Sequence, residues 1–90
     1  MTVWFEIEFH RNGILRRKFE VPANATRGLM YAPDFSALCE KLPAQLWPAI
    51  QRGSWWGDKH APSMPLRLDM TDKRGKPLGS LFATQKGAAT

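Results

Sequence analysis

The side chains of this chain that could attack, ligate or move a proton are few, and their spacing limits what they can do. His10, Cys39 and His60 are scattered along ninety residues, and only Asp58 and His60 stand close together. Zinc sites draw on paired Cys or His ligands a few residues apart, and this chain has no such pair. Two histidines cannot specify a nucleophile, a base and a group to orient it. Glu6 and Glu8 would share one face of a strand, but Lys18 and Arg16 are at hand to neutralise them, which leaves no carboxyl with a raised pKa. The glycines Gly53, Gly57, Gly75 and Gly79 stand singly, without the clustering that cradles a phosphate. These residues point away from an enzyme and from any resident metal or cofactor.

Binding chemistry is better supplied. Trp55 and Trp56 are adjacent, and neighbours in extended chain point opposite ways, so burial of one indole exposes the other. An exposed tryptophan offers a partner a large, rigid surface at little entropic cost. Cations gather in the first hairpin (Arg11, Arg16, Arg17, Lys18), at Arg52 and Lys59, and in a turn holding Lys73, Arg74 and Lys76. If the two turns share one edge, Arg11, Lys73, Arg74 and Lys76 form a positive rim. Candidate binding residues are therefore Arg11, Arg52, Trp55, Trp56, Lys59, Lys73, Arg74 and Lys76.

The elements that must position them follow from periodicity. Val3, Phe5, Ile7 and Phe9 alternate with Trp4, Glu6 and Glu8, the pattern of a half-buried strand. A second strand runs from Ile14 to Val21. A three-residue loop, Arg11-Asn12-Gly13, sets Phe9 against Leu15 and Phe5 against Phe19, with Glu8 facing Arg16 and Glu6 facing Lys18. Leu66, Leu68 and Met70 begin a second hairpin, whose three-residue loop Lys73-Arg74-Gly75 sets Met70 against Leu78 and Leu66 against Phe82. Pro77 suits an edge position. Between the hairpins, Asp34 caps a helix to about Lys41 with Phe35, Leu38 and Leu42 on its apolar face. Pro43 and Pro48 break the chain before a second helical piece carrying Leu46, Trp47 and Ile50. Pro22 to Pro33 and Gly53 to Pro62 read as loops.

The order ββ-α-ββ predicts an α+β two-layer sandwich, an antiparallel four-stranded sheet with one or two short helices on one face. Residues 1–85 form one domain and 86–90 a frayed tail. The absence of a signal-like N-terminus, of an apolar run of about 20 residues and of a second cysteine predicts a cytoplasmic setting with no membrane insertion. Open sheet edges suit a monomer or a homodimer. The net charge of +5 draws anionic partners. In size and build the chain resembles small bacterial domains and phage-encoded inhibitors of host defence, anti-CRISPR proteins among them. That resemblance is architectural and transfers no residue; it implies occlusion of a larger protein or nucleoprotein with an acidic surface. The alternative from the same residues is direct nucleic-acid binding, with phosphates on the basic turns and a base stacked on Trp55 or Trp56.

Overall fold

The computed structural model describes residues 3–25, 31–57 and 65–86. Five strands form one antiparallel sheet: β1 (Trp4–Arg11), β2 (Ile14–Ala25), β3 (Tyr31–Pro33), β4 (Leu66–Thr71) and β5 (Pro77–Lys86), in the order β3-β2-β1-β5-β4. Two short helices, α1 (Phe35–Lys41) and α2 (Trp47–Arg52), pack on one face, with a 3-10 turn at Ala44–Leu46 between them. The class is the expected α+β, but the sheet has a fifth strand. The segment read as a loop from Pro22 to Pro33 instead carries the end of β2 and all of β3, whose residues pair Ala23 with Pro33 and Ala25 with Tyr31. Alternation could not reveal it: β3 is three residues long and holds a proline.

The core forms where the inner face of the sheet meets the helices. Phe5, Ile7, Val21, Leu68, Met70, Leu81 and Ala83 are almost fully buried beneath Leu38, Leu42, Leu46 and Ile50. Asp34 caps α1 by accepting from the Ser36 amide, and Asn24 Nδ2 donates to the same oxygen at 3.1 Å. Phe35, placed by its spacing on the apolar face, is 41% exposed because it opens the helix beyond the sheet's cover. Pro48 falls in the first turn of α2, where its missing amide donor costs nothing.

Both hairpins depart from the expected registers, and each does so through a bulge. The first turn has two residues, with Asn12 (φ 54) and Gly13 (φ 75) both left-handed, as a type I′ turn requires. Carried on unbroken, that turn would set Phe9 opposite Arg16 and mix the faces. Instead the register shifts between Phe9 and His10: His10 pairs with Leu15 and Phe9 with Arg17, so Arg16 is the extra residue. Beyond it Ile7 meets Phe19 and Phe5 meets Val21. Past the bulge this is two residues from the expected pairing, so Arg17 to Val21 keep their faces; Leu15, expected inward against Phe9, instead turns to the outer face with His10 and is 47% exposed. In the second hairpin the three-residue loop Lys73-Arg74-Gly75 is as expected, with Gly75 at φ 84 and Thr71 opposite Pro77. Leu78 is then skipped, and Met70 pairs with Gly79, Leu68 with Leu81 and Leu66 with Ala83. Phe82 thereby turns to the outer face opposite Arg67. Pro77 opens the inner strand β5 rather than lying on an edge, since the first residue of a strand can also do without its donor.

Gly79 faces inward opposite Met70, where there is no room for a side chain. Its φ is 141°, and a Cβ placed there would lie 2.7 Å from both the His10 carbonyl oxygen and Phe9 Cε1. Phe9 occupies the space a side chain would need. Gly79→Ala should therefore cost about 2–4 kcal/mol in urea unfolding, from strain and overpacking together. Gly13→Ala, left-handed but in open space, should cost roughly 1–2 kcal/mol; equal losses would show that Phe9 does not lie against Gly79.

Candidate binding surface

Antiparallel pairing of β1 with β5 sets His10 opposite Ser80, so the end of the first strand meets the start of the last. Both turns consequently lie at the same end of the sheet. One cleft of about 590 Å³ touches Asn12 and Gly13 from the first turn and Thr71 and Pro77 from the second. Arg11, Lys73, Arg74 and Lys76 come to this end together. Arg52 joins them from the helical layer, with Nη2 donating to the Thr71 carbonyl at 2.7 Å. Asp72 is the acid of the turn, and its Oδ1 accepts the amides of Arg74 and Lys76 at 2.8 Å each, which fixes the loop.

The outer face treats its charges differently. Lys18 Nζ lies 2.7 Å from Glu6, and Lys86 bridges Glu20 at 2.8 Å and Glu6 at 3.4 Å. The expected Glu6–Lys18 pair thus forms, though diagonally, since Lys18 sits opposite Glu8. The expected Glu8–Arg16 pair does not: Arg16 is the bulge, and Glu8 contacts His10 Nε2 at 2.9 Å. The hydrogen bond from Lys18, helped by Lys86, holds Glu6 below the ordinary carboxylate range, and Glu6 in turn raises Lys18. Asp69 is lowered by the Ser80 hydroxyl and then by Arg67. Lys18, Arg67 and Lys86 are therefore neutralised in place. Arg11, Arg16, Arg17, Lys41, Arg52, Lys73, Arg74 and Lys76 form no ion pair with a described carboxylate.

The two tryptophans divide as extended neighbours must. Trp55 packs against the core, whereas Trp56 is 68% exposed. Trp56 exchanges both backbone hydrogen bonds with Arg67, at 2.7 and 2.8 Å, and so adds a single rung to the edge of β4. Residues paired in this way share a face, which puts the Trp56 indole on the outer side with Arg67. Arg67 lies over the Phe82 ring at 5.5 Å, and His10 meets that ring edge-on at 5.0 Å. The 590 Å³ cleft runs from this aromatic group past Asp69 and Ser80 to the basic turns. Trp56 stands level with Arg67, about 13 Å, or four residues along β4, from the Thr71 end of the strand where the second turn begins. Trp4, at 39% exposure, is also on the outer face, opposite Pro22. Lys59 falls outside the described residues, as do Asp58 and His60.

Arg17, Phe82 and His10 are not among the candidate binding residues read from the sequence. Arg17 left one signal, a charge at an inward position of β2. It is placed there because its guanidinium donates to the Lys41 carbonyl at the C-terminal end of α1. Burial pushes the Cys39 thiol up, away from nucleophilic reactivity. Among the described residues no three His, Cys, Asp or Glu come together. No helix among them is long and apolar enough to cross a membrane.

Glu6 supplies a pH test. Because its folded pKa is depressed, its contribution to stability is complete above the ordinary glutamate range and is lost as pH falls through the lower folded value. Thermal melts from pH 6 downward should show Glu6→Gln flattening the acid limb of the stability profile relative to the unsubstituted chain. Identical limbs would mean that the Lys18–Glu6–Lys86 cluster does not form in solution. The chain matches no protein-family model, and no curated protein or solved structure shows significant similarity to it.

Proposed function

We propose that this protein is a non-catalytic binding domain that docks through its basic end on an acidic surface of a larger protein or nucleoprotein and acts by covering it. The observation that carries this reading is the segregation of charge. Cations on the outer face are neutralised by carboxylates, while those at the shared end of the two hairpins are left without described acidic partners. A cluster of like charges held on two tight turns is self-repelling, and an acidic partner relieves that repulsion as it binds. Trp56, reached along the outer cleft, supplies the desolvated contact that charge alone does not give. Steering by the turns and anchoring by an indole together suit occlusion, which needs no chemistry from the bound domain.

The two contributions separate kinetically. Affinity capture from the native host identifies the partner, after which rates are measured on purified components. Arg74→Glu with Lys76→Glu should slow association about tenfold at low salt and far less at high salt. Trp56→Ala should instead speed dissociation roughly thirtyfold, about 2 kcal/mol, at any salt concentration. Capture unchanged by both variants would remove the proposed surface. Tight binding of a generic oligonucleotide, falling linearly in log–log form with salt, would replace the protein partner with nucleic acid.

A further inference from the structure

The basic end is not a plain charged surface. Between the hairpin turns and the segment after α1 lies a groove of about 570 Å³ lined by Phe9, Pro43, Leu46 and Leu78, with Gln45, Arg11 and Asp72 at its rim. Its floor is apolar, since Phe9 and Leu46 are each 8% exposed and Leu78 packs on the core margin. Arg11 lines it, Arg17 lies cross-strand from the lining residue Phe9 and reaches the Lys41 carbonyl, and the Lys73–Lys76 turn follows directly on Asp72. Among the described lining residues the acid is Asp72, whose Oδ1 accepts the Arg74 and Lys76 amides.

We infer that this groove receives one large aliphatic or aromatic side chain from an extended, carboxylate-rich segment of a partner protein. The inference rests on the basic end being the docking surface, and it names what that surface reads. An apolar floor inside a positive collar matches a segment with carboxylates flanking an apolar residue, and each half of the match excludes a different competitor. A nucleic acid would satisfy the collar, but the floor gives a base little to stack on: Phe9 is almost buried, and the other walls are Pro43, Leu46 and Leu78. A neutral apolar segment would fill the groove but leave the cations unanswered. Burying a leucine in place of an alanine at such a site corresponds to about a tenfold gain in affinity.

Two peptides with blocked termini, EEDLDEE and its alanine counterpart EEDADEE, test this by titration into the isotope-labelled 90-residue chain followed by amide NMR shifts. The leucine peptide should bind about tenfold more tightly, moving the amides of Leu46 and Leu78, while both peptides move those of Lys73 to Lys76. Gln45 is exposed at the rim, so Gln45→Trp covers the groove without entering the core. That variant should abolish the leucine preference and keep the response at the turn. Equal binding of the two peptides overturns the groove and leaves the basic docking surface standing. Failure of both peptides at low salt, with a thymidine oligonucleotide binding instead, overturns the acidic-protein reading along with it.

Discussion

The antiparallel ladder between β1 and β5 is the contact on which the rest of this structure depends. It runs from Trp4 opposite Lys86 to His10 opposite Ser80 and joins two hairpins, each otherwise a marginal two-stranded ribbon, into one sheet. A single layer can bury Phe5, Ile7, Leu68, Met70 and Leu81 under the same pair of short helices. The ladder also fixes polarity. Because β1 ends where β5 begins, the two turns cannot lie apart, and Arg11 is brought to Lys73, Arg74 and Lys76 by the same hydrogen bonds that close the core. Fold and candidate surface thus have one cause.

The bulges at Arg16 and Leu78 adjust that ladder for its two faces. At Arg16 the extra residue reconciles a tight type I′ turn with the alternation of β1, and it turns Arg17 inward, where the end of α1 needs a donor. At Leu78 the extra residue swings Phe82 outward beneath Arg67 and brings Gly79 under Phe9. The result is a sheet whose outer face is a neutral mosaic of Lys18, Glu6, Lys86, Glu20, Arg67 and Asp69. Exposed pairs of this kind add little to stability. Their consequence is positional, since they confine the unneutralised positive field to one end.

How much of this was legible follows from what periodicity can carry. Alternation in Val3 to Phe9 and Leu66 to Met70 gave both hairpins and their buried faces, and Asp34, Pro43 and Pro48 gave the helical boundaries. Registers were not legible, because a bulge leaves no mark in the alternation on either side of it. The inward Arg17 was the visible symptom of the first. Strand β3 was too short to alternate. The Trp55 and Trp56 split followed from chain geometry, whereas the outward turn of Phe82 and its contact with His10 depend on the Leu78 bulge. The apolar groove is assembled from four separate segments, so no local pattern could announce it. That Arg11 and Arg74 share an end depends on strand order, which was beyond the reach of local signals.

The distance between the two turns tests this account most directly. Spin labels on Asn12→Cys and Arg74→Cys, in a Cys39→Ala background, report it by pulsed electron resonance. With the turns side by side, about two strand spacings or roughly 10 Å separate the backbones, and the labels should read under about 25 Å. A separation beyond about 35 Å would place the turns at opposite ends of strands roughly 27 Å long, and the shared basic surface would not exist.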